Sequence, residues 1–145
     1  LKARRGAAEG GFVNVEFRLG EIEHLPVADG TVDVIISNCV INLSPDKEQV
    51  LRDAWRVLKE GGRLAISDVV TIGELPENVR SDLDEYAGCV AGSVPVSVYE
   101  EMLRAAGFEK IEITINEKSA EFIKDWFPDS GVERYVRSAT IEAIK

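Results

Sequence analysis

Cysteine is scarce in this sequence, with two residues among 145, and histidine scarcer, with one. Two cysteines fifty residues apart do not make the multi-bridge framework of a small secreted domain, so reduced thiols in the cytoplasm are expected. The one histidine, His24, follows an acidic pair on a loop and reads as exposed and structural. Long apolar runs are missing as well. None approaches the ~20 residues that span a bilayer, so no membrane helix is expected. The opening Leu1-Lys2-Ala3-Arg4-Arg5 has no apolar stretch behind it, so no signal peptide is expected there. Nor is there an initiator Met, and the chain reads as a fragment or a processed form. Basic excess is absent too. Lys and Arg number 17 against 26 Asp and Glu, a net charge of −9, and the basic residues form no stripe. Such a surface repels phosphate backbones, which argues against a nucleic-acid partner.

What is present is one domain's worth of chain, 45% hydrophobic and 30% charged, in which strand-like and helix-like segments alternate. Residues 1–9 read as a helix stopped by Gly10-Gly11, and Val13–Leu19 as a period-2 strand. Val32–Ser37 is rich in β-branched residues and suits a strand buried on both faces. Ser44-Pro45 opens a helix in which Val50, Leu51, Ala54, Val57, and Leu58 share one face, together with Trp55 as a core residue. Gly61-Gly62 is expected to end it, and Arg63–Val70 to follow as a strand. Residues 77–88 lean helical. Ser97–Glu100 has the form of a capping box for a helix running to Gly107. Lys110–Glu117 alternates as a strand, Ala120–Phe127 reads as a short helix, and Tyr135–Lys145 leans toward a closing strand. This order predicts an α/β, doubly wound, mostly parallel sheet with an antiparallel C-terminal edge.

Three stretches carry a resemblance. Gly20–Pro26 followed by Asp29–Ile35 is similar to the segment of class I S-adenosylmethionine-dependent methyltransferases that lines the adenine pocket and enters the fourth strand. Arg56-Val57-Leu58-Lys59-Glu60-Gly61-Gly62-Arg63-Leu64 resembles the helix end, glycine turn and fifth strand of that Rossmann-like family. The capping box before Gly107-Phe108 extends the likeness over nearly the whole chain. Within the family, Ser37–Leu43 and Gly88–Gly92, each bearing a cysteine, resemble the arsenite methyltransferases.

The resemblance implies S-adenosylmethionine as cofactor, with Gly20, Glu21, Ile22 and Asn38 at its site. Glu21 would accept from the adenine amine, and the Ile22 backbone N–H would donate to a ring nitrogen. It implies trivalent arsenic as substrate, held by Cys39 and Cys89. Residues 1–145 would be a partial domain, the C-terminal two-thirds of the fold. The first strand, the Gly-rich turn, the ribose carboxylate and a third substrate cysteine of the arsenite enzymes would all lie upstream.

From the residues themselves, Cys39 follows a strand and so falls at the crevice where open α/β sheets bind ligands. Soft thiolates suit arsenic better than carboxylates or imidazole do. No histidine or carboxylate cluster near Cys39 is required, because arsenic carries no proton to remove. The plainer readings stay open at this point. Cys39 would then be a small buried residue at a strand end, Cys89 a loop thiol, and Asn38 a turn residue. A methyltransferase for a small organic acceptor, or a thiol module that binds arsenite without turnover, also remain open. Trp126 and Phe127 would cover either the rim of the site or the core. Without the upstream strands, Val32–Ser37 presents an apolar edge. It is expected either to pair with Val13–Leu19 or to recruit a second copy as a homodimer.

Overall fold

A computed structural model describes residues 2–74, 88–126 and 128–145. The predicted helix at 77–88 and Phe127 fall almost wholly outside these residues. Helix α1 (Lys2–Glu9) buries none of its side chains. Strand β1 (Val32–Asn38) leads through a tight helical turn at Ile41–Leu43 to α2 (Lys47–Val57) and β2 (Leu58–Thr71). A single turn, α3 (Gly88–Ala91), precedes α4 (Val96–Ala106), β3 (Glu109–Asn116), α5 (Ala120–Trp126) and β4 (Val136–Ile144). The strands form one mixed sheet in the order β1-β2-β4-β3. β1 and β2 run parallel, and β4 lies antiparallel between β2 and β3. This gives the antiparallel C-terminal edge expected from the sequence.

Period-2 alternation divides the sheet into two unequal faces. Leu64, Ile66 and Val70 of β2, with Ala139, Ile141 and Ala143 of β4, pack under Leu51 and Ala54 of α2 and Tyr99 and Leu103 of α4. Leu51, Leu103 and Tyr99 are fully buried. Truncating a leucine placed like this typically costs ~2–5 kcal/mol. On the other face, Val69 and Val136 meet Val90, Ile123 and Val132 at one end of the sheet. The rest of that face is open: Arg63, Ser67, Thr140 and Thr114 are exposed there, and Ile36 is 81% exposed. Among the described residues, no helix is long and apolar enough to cross a membrane.

Several local expectations are corrected. Val13–Leu19 forms no strand and does not pair with β1; Val13 and Leu19 are almost wholly exposed. Alternation makes a strand only beside a partner, and here Arg4 takes the Phe17 carbonyl instead. The cap of α2 is Asp46, which accepts from the Gln49 N–H at 2.9 Å. Ser44 is already committed, bonding the Glu23 carboxylate and accepting from the Asp46 N–H. Gly61-Gly62 lies inside β2 rather than at a helix end, because Gly61 donates to the Lys145 carbonyl and Gly62 accepts from the Lys145 N–H. The Ser97–Glu100 capping box does not form. The helix starts two residues earlier, with Pro95 rather than Ser97 as cap, and Glu100 pairs with Arg104 instead.

Gly107 ends α4 in the left-handed conformation, φ +105°, with Phe108 donating to the Leu103 carbonyl. A Cβ there would lie 2.9 Å from the Trp55 indole nitrogen, so this close approach requires glycine. Trp55 is thus half in the core, and Lys145 covers its outer face, 3.9 Å from the ring centroid.

Candidate functional site

β1 ends at Asn38, and the chain turns at Cys39 in the left-handed region, with φ +53°. That places Cys39 at the carboxyl end of the parallel pair, where a doubly wound sheet opens a crevice. The Cys39 N–H donates to the Ser67 carbonyl of β2 at 2.8 Å. Cys89 stands on α3, a helical turn rather than the expected loop, closed by Ser93 bonding back to the Val90 carbonyl. The turn is seated on the core by the buried Val90.

The two cysteines meet. Cys89 Sγ donates to the Cys39 carbonyl at 2.9 Å, across fifty residues of sequence. Both are half-buried, and both are free. Burial is the main force raising the Cys39 pKa to about 11, with the negative charge of Asp68 adding to it. Burial raises Cys89 too, again with Asp68 contributing. At neutral pH, therefore, the pair stands as two neutral thiols side by side. Such a pair is a poor nucleophile and a good bidentate acceptor for a soft ion that exchanges its oxygens for sulfur.

A cavity of about 310 Å³ lies on the other side of the same turn. Its walls include Ile22, Leu25, Ile35, Asn38, Val40 and Ile41. They are mainly apolar, with the polar Asn38 and Ser37 at one end. This is the small end of ordinary ligand pockets, suited to one flat ring of a larger molecule. Residues 38–41 thus separate two features: thiols on one side and an apolar slot on the other.

Of the sequence-predicted cofactor residues, Ile22 and Asn38 line this cavity. Glu21 is exposed on a tight turn, where its carbonyl accepts from the His24 N–H at 3.1 Å. Gly20 packs against Pro26, whose Cδ would be 2.6 Å from a Cβ on Gly20. His24 is exposed. Trp126 is 48% exposed and stacks obliquely on Phe122 rather than joining the core.

Sequence reasoning missed what holds the slot in shape. Arg56 of α2 reaches back to the 21–29 loop, donating to the carbonyls of Val27 (2.9 Å) and Leu25 (3.0 Å) and pairing with Asp29. It is steadied by Asp53, at 2.8 and 3.0 Å, and Asp53 in turn accepts from the Leu25 N–H at 2.6 Å. The hydrogen bond from Arg56 holds the Asp53 carboxyl below the usual range. Gln49 donates to the Glu23 carbonyl, a further tie between α2 and the loop. The sequence signal was present, an Arg in the last turn of a helix with an acid three residues before, but nothing in it named the loop as the target.

Comparison with known proteins gives a consistent picture. The family model described as "Methyltransferase domain" matches residues 1–120. An arsenite methyltransferase of Halobacterium salinarum is 54% identical over 144 residues, covering 99% of this chain and 37% of that protein. The human arsenite methyltransferase is 49% identical over 84 residues, 56% of this chain and 22% of that protein. Among solved structures, an arsenic (III) S-adenosylmethionine methyltransferase from Chlamydomonas reinhardtii is similar with a TM-score of 0.63 at 34% identity, covering 86% of this chain and 42% of that one. The chain spans less than half the length of each of these relatives.

Proposed function

Because the chain belongs to the methyltransferase domain family, we propose that it forms part of an S-adenosylmethionine-dependent arsenite methyltransferase, with Cys39 and Cys89 as the arsenic-binding thiols. The observation that carries this reading is the meeting of those two thiols at the end of β1, back to back with an apolar slot. The names of the similar proteins support it.

Arsenite enters as As(OH)3. Each thiol replaces one hydroxide and gives its proton to the hydroxide that leaves, so two water molecules depart and arsenic keeps one oxygen and its lone pair. No general base is consumed, which suits a pair held as neutral thiols. The cofactor fits the same neighbourhood. Adenine is flat, with apolar faces, and the slot walled by Ile22, Leu25 and Ile35 has the matching chemistry, while the Asn38 amide offers a polar contact at its end. When bound, S-adenosylmethionine supplies a sulfonium methyl group as electrophile for the arsenic lone pair. The residues of this chain provide alignment: the turn at 38–41 fixes thiols and slot to one rigid strand end. Thiol chemistry of this kind calls for a reducing compartment, so we place the protein in the cytoplasm.

Incubating the longer parent protein with arsenite, a thiol reductant and methyl-labelled S-adenosylmethionine tests the reading. Label in methylated arsenic is expected. Label transferred only to a small organic acceptor, with arsenite inert, would contradict it. For the chain itself we also propose a homodimer built across the outer edge of β1, which pairs with no strand among the described residues and where Val34 and Ile36 are exposed. Light scattering is expected to give twice the chain mass, and a monomer at all concentrations would refute the dimer.

A further inference from the structure

A left-handed backbone at a non-glycine residue is uncommon and persists only where its surroundings hold it. Cys39 is such a residue. What holds it is written in β2. Ser67 takes the Cys39 N–H, and the next residue, Asp68, takes the turn that follows. Asp68 is 1% exposed. Its carboxylate accepts from the Asn42 side-chain amide at 2.9 Å, from the Val69 N–H at 2.8 Å, and from the Asn42 backbone N–H at 3.4 Å. The Asn42 amide donates at the same time to the Val69 carbonyl at 2.7 Å. Asn42 is buried too.

Burying a carboxylate is costly unless it is hydrogen-bonded all round. Apolar residues would fill this position between α2 and the sheet at lower cost. The acid does one thing they cannot: it gathers several N–H groups from both sides of a turn onto two oxygens. With the Cys39 N–H fixed on one side and the backbone and side-chain N–H groups of Asn42 on the other, residue 39 is held in its left-handed conformation. Its carbonyl is thereby aimed at Cys89, which donates to it.

We propose that Asp68, together with Asn42, is a positioning residue for the thiol pair: it clamps the turn after Cys39 so that both sulfurs face one ion. This rests on the reading of Cys39 and Cys89 as arsenic ligands, but its test does not require turnover. Phenylarsine oxide is the probe, because it bridges two thiols with loss of one water. Iodoacetamide is the comparison, because it needs only one thiol.

Asp68→Asn keeps the shape of the side chain but replaces one accepting oxygen with an amide NH2, a donor facing the N–H groups it must hold. It is expected to weaken phenylarsine oxide binding by about 10- to 100-fold, the usual effect of losing an outer partner of a metal ligand. Alkylation of the thiols by iodoacetamide is expected not to slow. Asn42→Ala, which removes one arm of the clamp and leaves the carboxylate, is the second variant and is expected to show the same pattern at smaller size. Unchanged phenylarsine oxide binding in both variants would overturn the proposal. So would loss of binding in step with loss of helical circular dichroism in both, since that marks a merely structural role. A wild-type chain that binds phenylarsine oxide but never arsenite would sink the substrate reading and leave the clamp standing. A wild-type chain that binds neither would sink both.

Discussion

Replacing Cys39 by serine is expected to reduce the affinity of this chain for phenylarsine oxide or arsenite by at least about a hundredfold, because the second arsenic–sulfur bond forms within an already tethered complex and its loss removes the whole gain from tethering. Cys89→Ser is expected to do the same, since the two thiols act as one bidentate group. The double variant should be little worse than either single one. Non-additivity of that kind is the signature of residues that work as a unit. Fluorescence titration or mass spectrometry of the adduct reads the result. The substitutions are small, and the thiols are half-buried, so folding should survive them. If each single variant retained most of the affinity, the ion would be held elsewhere and the meeting of Cys39 with Cys89 would be incidental.

The second large effect concerns the slot. Removing the carboxylate with Asp53→Ala leaves the Leu25 N–H without its partner and takes from the Arg56 guanidinium one of the two acids that hold it. Hydrogen bonds to charged groups contribute roughly 1.5–3 kcal/mol, so a loss of about 2–3 kcal/mol of stability is expected. For a domain of this size that lowers Tm by roughly 10 °C. Affinity for S-adenosylhomocysteine should fall with it, because the 21–29 loop that carries Ile22 loses one of its ties to α2 and the group that steadies another. The effect has a defined pH dependence. The Arg56 hydrogen bond depresses the folded-state pKa of Asp53. Its contribution is therefore complete above the unfolded value near ~3.9 and is lost as pH falls below that through the folded value. The gap in Tm between wild type and Asp53→Ala should narrow below about pH 4. A gap that persisted in acid would mean that the carboxylate acts by packing alone.

Much of this was legible in the sequence, and the reasons differ by residue. The apolar face of α2 was readable because burial follows a fixed period. Val32–Ser37 was readable as a strand, but the expectation that it is buried on both faces is overturned: none of its residues is buried, and Ile36 is 81% exposed on the face that the helices leave uncovered. Cys39 was readable as a crevice residue because it follows such a run. That Cys89 reaches it was an inference from resemblance, since no local pattern links positions fifty residues apart. Val13–Leu19 misled because alternation describes a strand's two faces but not its neighbour. The caps were displaced by a residue or two because Ser44, Asp46 and Pro45 all suit a helix start, and only the Glu23 contact decides among them. Asp68 was hidden in plain view, one of several polar letters in its strand and the one that points into the buried face. Its role depends on a turn that arrives from Asn42, twenty-six residues earlier.

A pair of sulfurs closing on one arsenic atom is the claim on which the rest depends, and arsenic K-edge X-ray absorption of the chain loaded with arsenite addresses it most directly. The account predicts two sulfur neighbours and one oxygen on each arsenic in the wild type, dropping to at most one sulfur when either cysteine is replaced. An arsenic shell made of oxygen alone, or one sulfur from each of two chains, would contradict it.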